Sequence, residues 1–236
     1  MTSDGPRPPK WRFARDAEGY VYSDGKPLGE SSGQVGCIFE LNQTVRELLA
    51  DRLDRVSVYT NMFFYWAEGE PDERRDPDLM VIFGVPMNNG QENYKSWKHG
   101  GIVPGVIIET MGPNRHHQLF RDIRDDYEIA GVTEYFVYDC GGDLWPQPLT
   151  GYRLTDGRYR RIEPEADGTL FSHMLDHKLR PEGWTLRFVN PRTGEPVRPL
   201  GVSNWSAMSE ARAKAEGRKI VRQSHTTEAD LMGDRE

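Results

Sequence analysis

Apolar residues recur along the chain with the two spacings that distinguish helices from strands. Between residues 41 and 53 the apolar positions follow the i, i+4, i+7, i+8 spacing of an amphipathic helix. A second helix is predicted over residues 115–130, because its apolar positions fall on one face and Gly131 follows as a stop signal. The positions on that face are Leu119, Ile123, Tyr127 and Ala130.

Four apolar runs rich in β-branched and aromatic residues predict strands. They cover about residues 57–66, 78–84, 104–110 and 133–139. The first run is expected either to bend or to pair with the second. The third run, the second helix and the fourth run follow one another directly, an order typical of a βαβ crossover in a mixed sheet. The pattern therefore predicts an α/β fold with a mixed sheet flanked by helices.

The remaining segments predict the borders of one domain. Residues 1–10 are polar and proline-rich, which predicts a flexible lead-in to a domain over residues 11–200. Alternating segments between residues 140 and 200, separated by Asp-Gly and Arg-Thr-Gly turns, predict β-hairpins. Residues 201–236 predict a charged tail helix that ends in disorder.

The charge and the cysteine content of the chain limit which binding partners and which cellular compartment are expected. The chain has 37 acidic and 30 basic residues, a net charge of −7, which argues against a polycationic coat protein but allows a local basic groove. Cys37 and Cys140 are the only cysteines, and no hydrophobic signal segment begins the chain, so a reduced, cytoplasmic protein is expected. No apolar run approaches the roughly 18 residues of a membrane span, so no membrane partner is expected.

Two acidic residues stand beside the apolar runs of neighbouring predicted strands. Asp78 follows Pro77 at the start of the second strand, and Glu109 lies near the end of the third. Taken singly, Asp78 could equally cap a turn after Pro77, and Glu109 could pair with an arginine. Taken together, they favour a site for a hard divalent cation such as Mg²⁺, which activates water and stabilises phosphoryl charge. The pair therefore points to phosphodiester hydrolysis.

Three segments carry a resemblance to a known family. DPDLMVIFG, SWKHGGIVPGVIIETMGPN and YEIAGVTEYFVYD resemble, in order and spacing, the Uma-type putative restriction endonucleases, a bacterial family of the PD-(D/E)XK nuclease superfamily. The resemblance covers most of the chain and implies a restriction-endonuclease-like core. It also implies that Mg²⁺ or Mn²⁺ binds the aspartate of the PD motif and the glutamate of the following strand, here Asp78 and Glu109. The main-chain carbonyl of Thr110 is an extra ligand in this reading. The implied partner is nucleic acid, DNA first, and a homodimer is expected because two scissile strands require two sites.

The sequence departs from the family at one important position. The superfamily uses a lysine to position the attacking water, either two residues after the glutamate or, in this family, on the following helix. Met111 and Ile123 occupy those two places. Arg124 and Arg121 lie on the same helix and are expected to clamp the phosphate, although an arginine cannot act as a base. Metal binding is therefore better supported by the sequence than turnover.

Three functions stay open at this stage. The leading hypothesis is a metal-dependent endonuclease, and the alternative is a catalytically silent protein of the same fold that binds nucleic acid or a protein partner. The third is an interaction module that uses the tail helix.

A few further residues allow two interpretations each. Lys95, Trp97 and Lys98 either line a nucleic-acid groove or shape their own loop. His116 and His117 either contact a phosphate or metal, or belong to a solvated helix face. The residues interpreted as packing residues are Trp145, Trp184 and Trp205.

Overall fold

The fold is described from a computed structural model. It covers residues 14–23, 31–112, 117–141 and 147–198, with the backbone alone for residues 117–120. Helices in these ranges are α1 (Ser32–Leu48) and α2 (His117–Ala130). Short 3-10 helices occupy Ala50–Arg52 and Ser96–His99. The strands are β1 (Ala14–Arg15), β2 (Val21–Ser23), β3 (Val56–Tyr59), β4 (Phe64–Tyr65), β5 (Arg74–Arg75), β6 (Leu79–Phe83), β7 (Tyr94–Lys95), β8 (Val106–Met111), β9 (Glu134–Asp139), β10 (Leu149–Thr155), β11 (Arg158–Arg161), β12 (Leu170–Ser172), β13 (His177–Glu182) and β14 (Thr185–Val189).

A six-stranded mixed sheet forms the centre of the fold. Its strand order is β11-β10-β9-β8-β6-β3. β8 and β9 are parallel and joined through α2, whereas the other neighbours are antiparallel. The predicted βαβ crossover and the α/β fold class are confirmed.

The two helices cover opposite faces of this sheet. Leu41 and Val45 of α1 pack in one core cluster with Ile108, whereas Ile123 and Tyr127 of α2 pack in the other with Ile107. Successive residues of a strand point to opposite faces, so Glu109 shares the α2 face with Ile107. Glu109 therefore lies on the face of the sheet that α2 covers.

Helix α1 begins nine residues earlier than the predicted start at residue 41 and ends at Leu48, so the predicted bounds were wrong. Ser31 caps its start by accepting a hydrogen bond from the Gln34 backbone N–H at 3.2 Å. Gly33 lies in the first turn, where a glycine weakens the helical pattern. The Trp184 ring packs against Gly33 so closely that a Cβ there would collide with it, which confirms Trp184 as a packing residue.

The predicted strand over residues 57–66 is two strands in two sheets. β3 pairs with β6 in the central sheet, as predicted, but the chain then breaks at Asn61, whose φ is 47°. β4 belongs to a small sheet in which it pairs with β5 and, in parallel, with β7. The prediction of one continuous strand was wrong. The pairing of β4 with β7 joins segments about thirty residues apart, so no local sequence pattern indicates it.

The predicted hairpins are present in the C-terminal half. β10 and β11 are joined by Asp156 and Gly157, whose φ values are 53° and 75°. β13 and β14 pair around Gly183 and form a second small sheet with β12. β14 packs on α1, where Glu40 accepts hydrogen bonds from the Arg187 side chain at 2.7 Å and the Thr185 hydroxyl at 3.0 Å.

Several predictions fall outside the ranges that the structure covers. These are the lead-in over residues 1–10, the tail helix over residues 201–236, and the side chains of His116, His117, Trp145 and Trp205. In the covered ranges, no helix is long and apolar enough to cross a membrane.

Candidate metal site

Asp78 lies at the entry of β6, buried beneath α2. It is only 1% exposed, although it carries an ionisable carboxyl group. Its Oδ2 accepts hydrogen bonds from the Thr110 backbone N–H at 2.7 Å and the Thr110 hydroxyl at 2.6 Å. These bonds cross from β6 to β8 rather than closing a local turn after Pro77. They orient the carboxyl group at the edge of the strand pair.

Glu109 lies on β8, next to Asp78 in the sheet. β6 and β8 pair with Leu79 opposite Ile108, so the next pair outward is Asp78 with Glu109. Directly opposed residues of an antiparallel pair project from the same face. Glu109 is 3% exposed, and its Oε1 accepts a hydrogen bond of 2.7 Å from the Tyr127 hydroxyl of α2. The two carboxyl groups predicted to converge are therefore neighbours on one face of the sheet.

Tyr127 is a functional candidate that the sequence patterns placed only as a core residue. Burial raises the pKa of its hydroxyl well above the ordinary value, and the neighbouring Glu109 carboxylate raises that pKa further. The phenol therefore stays protonated and acts as a donor toward Glu109. It fixes the Glu109 side chain from the helix that follows β8.

Thr110 links three elements at this site. Besides its bonds to Asp78, its carbonyl oxygen and its hydroxyl each accept a hydrogen bond of 3.2 Å from the Gln34 side-chain amide of α1. Gly112 lies beside this amide, and a Cβ there would collide with the Gln34 side chain. Sequence reasoning missed Gln34 and Gly112, because neither side-chain hydrogen bonding across the fold nor close packing has a local signature.

Arg75 is a further residue that the sequence did not single out. Its Nε donates to Asp126 Oδ2 of α2 at 2.7 Å. Arg75 precedes Asp78 by three residues, and Asp126 precedes Tyr127 by one. This ion pair therefore ties the entry of β6 to the helix that carries the Tyr127 donor.

The two positions of the family lysine are apolar and buried. Met111 and Ile123 both pack in the core cluster beneath α2. The lysines in the covered part of the chain are bound to carboxylates elsewhere: Lys95 to Asp16 and Glu18, Lys98 to Glu18, and Lys178 to Glu165. In that part of the chain, no lysine has replaced the missing one.

The two arginines expected to replace the lysine differ in position: Arg124 is half-buried on the flank of α2 that faces Tyr152 of β10, whereas Arg121 lies on the solvent side. Arg124 donates to Asp125 Oδ1 from Nε at 2.9 Å and from Nη2 at 2.6 Å, and its guanidinium lies 5.7 Å from the Tyr152 ring centre. The Asp125 carboxylate raises the pKa of Arg124 further, so this side chain stays charged. Arg121 is exposed to solvent.

Lys95 and Lys98 favour the loop-shaping interpretation over the nucleic-acid groove. Lys95 Nζ binds Asp16 Oδ2 at 2.6 Å and lies 4.2 Å from the Tyr20 ring centre. Both partners belong to the hairpin of β1 and β2. The cation–aromatic mixture of this segment therefore holds the N-terminal hairpin against β7.

The donor chemistry of the Asp78 and Glu109 pair fits a hard cation. Carboxylate and carbonyl oxygens are the ligands of Mg²⁺, which usually binds one or two protein carboxylates and completes its shell with water and phosphate oxygens. Among the residues that the structure covers, no group of three or more His, Cys, Asp or Glu side chains gathers at one point. A cation at this pair would therefore take the rest of its shell from other oxygen atoms, such as those of water and phosphate.

Comparisons with known proteins agree with the three sequence segments. Residues 4–186, most of the chain, match the Uma2 family, described as putative restriction endonucleases. The chain is also similar to the crystal structure of a putative nuclease belonging to DUF820 from Anabaena variabilis ATCC 29413. That likeness has 13% sequence identity and a TM-score of 0.46, and covers 65% of this chain and 81% of that chain. No match was found among the curated proteins. The chain belongs to the Uma2 family of putative restriction endonucleases.

Proposed function

We propose that this protein is a metal-dependent endonuclease that hydrolyses phosphodiester bonds in nucleic acid, with DNA as the first candidate. The observation that carries the proposal is the burial of Asp78 and Glu109 side by side on one face of the sheet. Placing two carboxyl groups together away from water is costly unless something offsets their charge. A divalent cation bound by both carboxyl groups would offset that charge, and membership of a family described as putative restriction endonucleases supports a role for such a cation in cleavage.

The proposed metal ligands are the side chains of Asp78 and Glu109 and the main-chain carbonyl of Thr110. The cation is Mg²⁺ or Mn²⁺ in this proposal. A cation at the Thr110 carbonyl would compete with the Gln34 amide, which already donates to that oxygen. When bound, the cation supplies an activated water molecule and stabilises the charge of the phosphoryl group. Tyr127 holds Glu109 in place for this role through its 2.7 Å hydrogen bond.

Arg124 is the proposed phosphate contact, with Arg121 as the second candidate. An arginine binds phosphate oxygens by paired hydrogen bonds but does not accept a proton. Arg124 would have to give up its two hydrogen bonds to Asp125 Oδ1 to reach a phosphate. The cleavage of this protein is therefore proposed to be slow and to favour Mn²⁺. We further propose that it acts in the cytoplasm as a homodimer, since two scissile strands need two sites.

The alternative is a catalytically silent member of the family that binds nucleic acid or a protein partner. Met111 and Ile123 favour this alternative, because both sites of the usual lysine are filled by buried apolar side chains. In that case the carboxyl pair would bind a cation without supporting turnover.

A divalent-dependent cleavage assay separates the two functions. Single-stranded DNA, double-stranded DNA and RNA are offered with Mg²⁺ or Mn²⁺ to the wild type and to Asp78→Ala. The endonuclease proposal expects cleavage by the wild type alone. It is overturned if the wild type binds Mn²⁺ and leaves all three substrates intact, a result that the silent alternative predicts.

A further inference from the structure

Tyr135 of β9 has a buried hydroxyl without a hydrogen-bond partner in the covered part of the structure. The side chain is 0% exposed, and its hydroxyl oxygen is shielded from solvent. Other buried tyrosines satisfy this group: Tyr65 donates to the Val21 carbonyl at 2.8 Å, and Tyr94 to that of Ile102 at 2.8 Å. Because an unmade buried hydrogen bond costs free energy, the Tyr135 hydroxyl calls for a specific explanation.

The position of Tyr135 connects it to the proposed metal site. In the parallel pairing of β8 and β9 it lies opposite Ile107, two residues before Glu109 and on the same face of the sheet. Its ring packs edge-on against Tyr127, with ring centres 5.2 Å apart, and the Tyr127 hydroxyl binds Glu109. Tyr135 thus lies on the same face of the sheet as Glu109 and contacts the tyrosine ring whose hydroxyl binds Glu109.

The chemistry of this hydroxyl suits a donor role. Burial raises the pKa of Tyr135 well above its ordinary value, and the charge of Glu109 raises it further. The hydroxyl therefore stays neutral and protonated at all ordinary pH values. A buried water needs two to four polar partners, and a protonated phenol that donates and a carboxyl group that accepts are partners of the right kind.

We infer that Tyr135 is a positioning residue of the proposed metal site, whose hydroxyl donates a hydrogen bond to a water molecule held beside Glu109. This inference rests on the proposed function and extends it. In the superfamily a lysine side chain positions the attacking water. Here Met111 and Ile123 occupy the two lysine positions, so another side chain must position the water. A neutral phenol orients a water molecule without changing the charge of the site.

Tyr135→Phe is the sharpest variant, because it removes one oxygen atom and keeps the ring contacts with Tyr127 and Tyr152. Tyr138→Phe is the matched control on the same strand. Tyr138 lies on the opposite face, where its hydroxyl donates to the carbonyls of Gly183 at 2.5 Å and Thr185 at 2.8 Å. Mn²⁺ affinity is measured by calorimetry on the full chain, together with the metal-free melting temperature of each variant.

We expect Tyr135→Phe to bind Mn²⁺ about tenfold or more weakly than the wild type. Loss of a hydrogen-bond partner outside the ligands of a metal site usually has an effect of this size. Its metal-free melting temperature should change little, since the substitution removes only a bond to water and none to a protein group of the covered ranges. Tyr138→Phe should melt at a lower temperature and bind Mn²⁺ as the wild type does. For any nucleic acid that the wild type cleaves, Tyr135→Phe should lower kcat and leave KM unchanged.

Two results overturn the inference and differ from each other. If the wild type and Tyr135→Phe bind Mn²⁺ equally while the variant melts higher, the hydroxyl is only an unsatisfied buried group, and the metal site itself stands. If the wild type does not bind Mn²⁺, the proposed metal site fails and the role of Tyr135 falls with it. A high-resolution crystal structure adds a direct check, because it should show a water molecule on the Tyr135 hydroxyl.

Discussion

Neutral donors reach both carboxyl groups of the candidate site. Thr110 gives Asp78 a backbone N–H and a hydroxyl, and Tyr127 gives Glu109 a phenol. Such donors fix the direction of a carboxyl group but do not cancel its charge. The arrangement therefore limits the freedom of both side chains, which suits the metal-binding role proposed for them.

Tyr127→Phe tests the support of Glu109. Loss of the 2.7 Å hydrogen bond leaves a buried carboxyl oxygen without this donor, so the free energy of unfolding should fall by about 1–3 kcal/mol. Urea unfolding measures the change. The control is Tyr22→Phe, since Tyr22 is exposed and its variant should stay within about 0.5 kcal/mol of the wild type. Equal stability of the two variants would contradict the support role.

Ile123→Lys tests whether the site is ready for the missing lysine. Ile123 is 6% exposed in the core beneath α2, so a lysine there should lower the metal-free stability by about 2–4 kcal/mol. The same lysine should raise the rate of Mn²⁺-dependent cleavage, since it would restore the family's positioning group. Ile123→Met is the volume-matched control, which should cost less than about 1.5 kcal/mol and leave the rate unchanged.

Failure of that restoration would favour the silent alternative. The decisive outcome is a pair of folded proteins, wild type and Ile123→Lys, that both bind Mn²⁺ and both leave every nucleic acid intact. The nuclease assignment would then be abandoned.

A few side-chain hydrogen bonds and ion pairs connect elements that are far apart in sequence, at the candidate site and at the N-terminal hairpin. The Gln34 side chain in the first turn of α1 donates a hydrogen bond to the Thr110 carbonyl. The ion pair of Arg75 with Asp126 connects α2 to the segment just before β6. The N-terminal hairpin is fastened to β7 by Lys95, which binds Asp16 and Glu18. Each of these contacts joins distant segments of the chain, so each should stabilise the packing of one helix or hairpin against the rest of the fold.

Asp16→Asn tests the hairpin tie and its dependence on pH. Burial acts to raise the pKa of Asp16, but hydrogen bonds from Asn93 and Lys95 lower it from 3.8 to about 2. Because the folded pKa lies below the unfolded value, the carboxylate stabilises the fold above pH 3.8, and this contribution is lost as the pH falls toward 2. At pH 7 the variant should therefore be less stable than the wild type by about 1–3 kcal/mol.

Urea unfolding from pH 7 down to pH 2 checks this prediction. The difference between the wild type and Asp16→Asn should shrink as the pH falls below 3.8. The control is Asp72→Asn, since Asp72 is fully exposed and its pair with Arg74 should contribute little at any pH. A difference that stays constant down to pH 2 would contradict a role for the Asp16 charge.

Gly33→Ala tests the close contact between α1 and the β13–β14 turn. Alanine favours a helix over glycine, yet its Cβ would collide with the Trp184 ring. The collision should dominate and lower the melting temperature, with a cost of about 1–3 kcal/mol. Gly90→Ala is the control, because the nearest atom to its added Cβ would be 3.5 Å away. A Gly33→Ala protein that melts above the wild type would contradict this packing.

Sequence patterns revealed those parts of the fold that depend on local spacing. The βαβ crossover, α2 and the Asp156-Gly157 hairpin follow from periodicity and turn residues, and the neighbouring positions of Asp78 and Glu109 follow from their place beside apolar runs. The sequence could not reveal the start of α1, because Gly33 weakens the helical pattern and only the distant Trp184 explains it. Gln34 and Tyr127 were missed as site residues for the same reason, since their roles depend on partners brought near by folding.

The molecule as it stands combines an acidic chain with a buried acidic site. A net charge of −7 repels polyanions at long range, so we propose that nucleic acid binds through local arginines and through a cation held by the carboxyl pair. The cation should therefore affect both the stability of the fold and its affinity for nucleic acid. Binding of nucleic acid without a divalent cation should be weak and should decrease with salt.

The melting temperature as a function of Mn²⁺ concentration tests the metal site most directly, because it needs neither the true substrate nor turnover. A ligand that binds only the folded state stabilises it by about 2.7 kcal/mol at 100 times its dissociation constant. We predict that millimolar Mn²⁺ raises the melting temperature of the wild type, whereas Asp78→Asn and Glu109→Gln stay folded and lose that rise. An unchanged melting temperature of the wild type in Mn²⁺ and in Mg²⁺ would contradict the account and leave the carboxyl pair a structural feature.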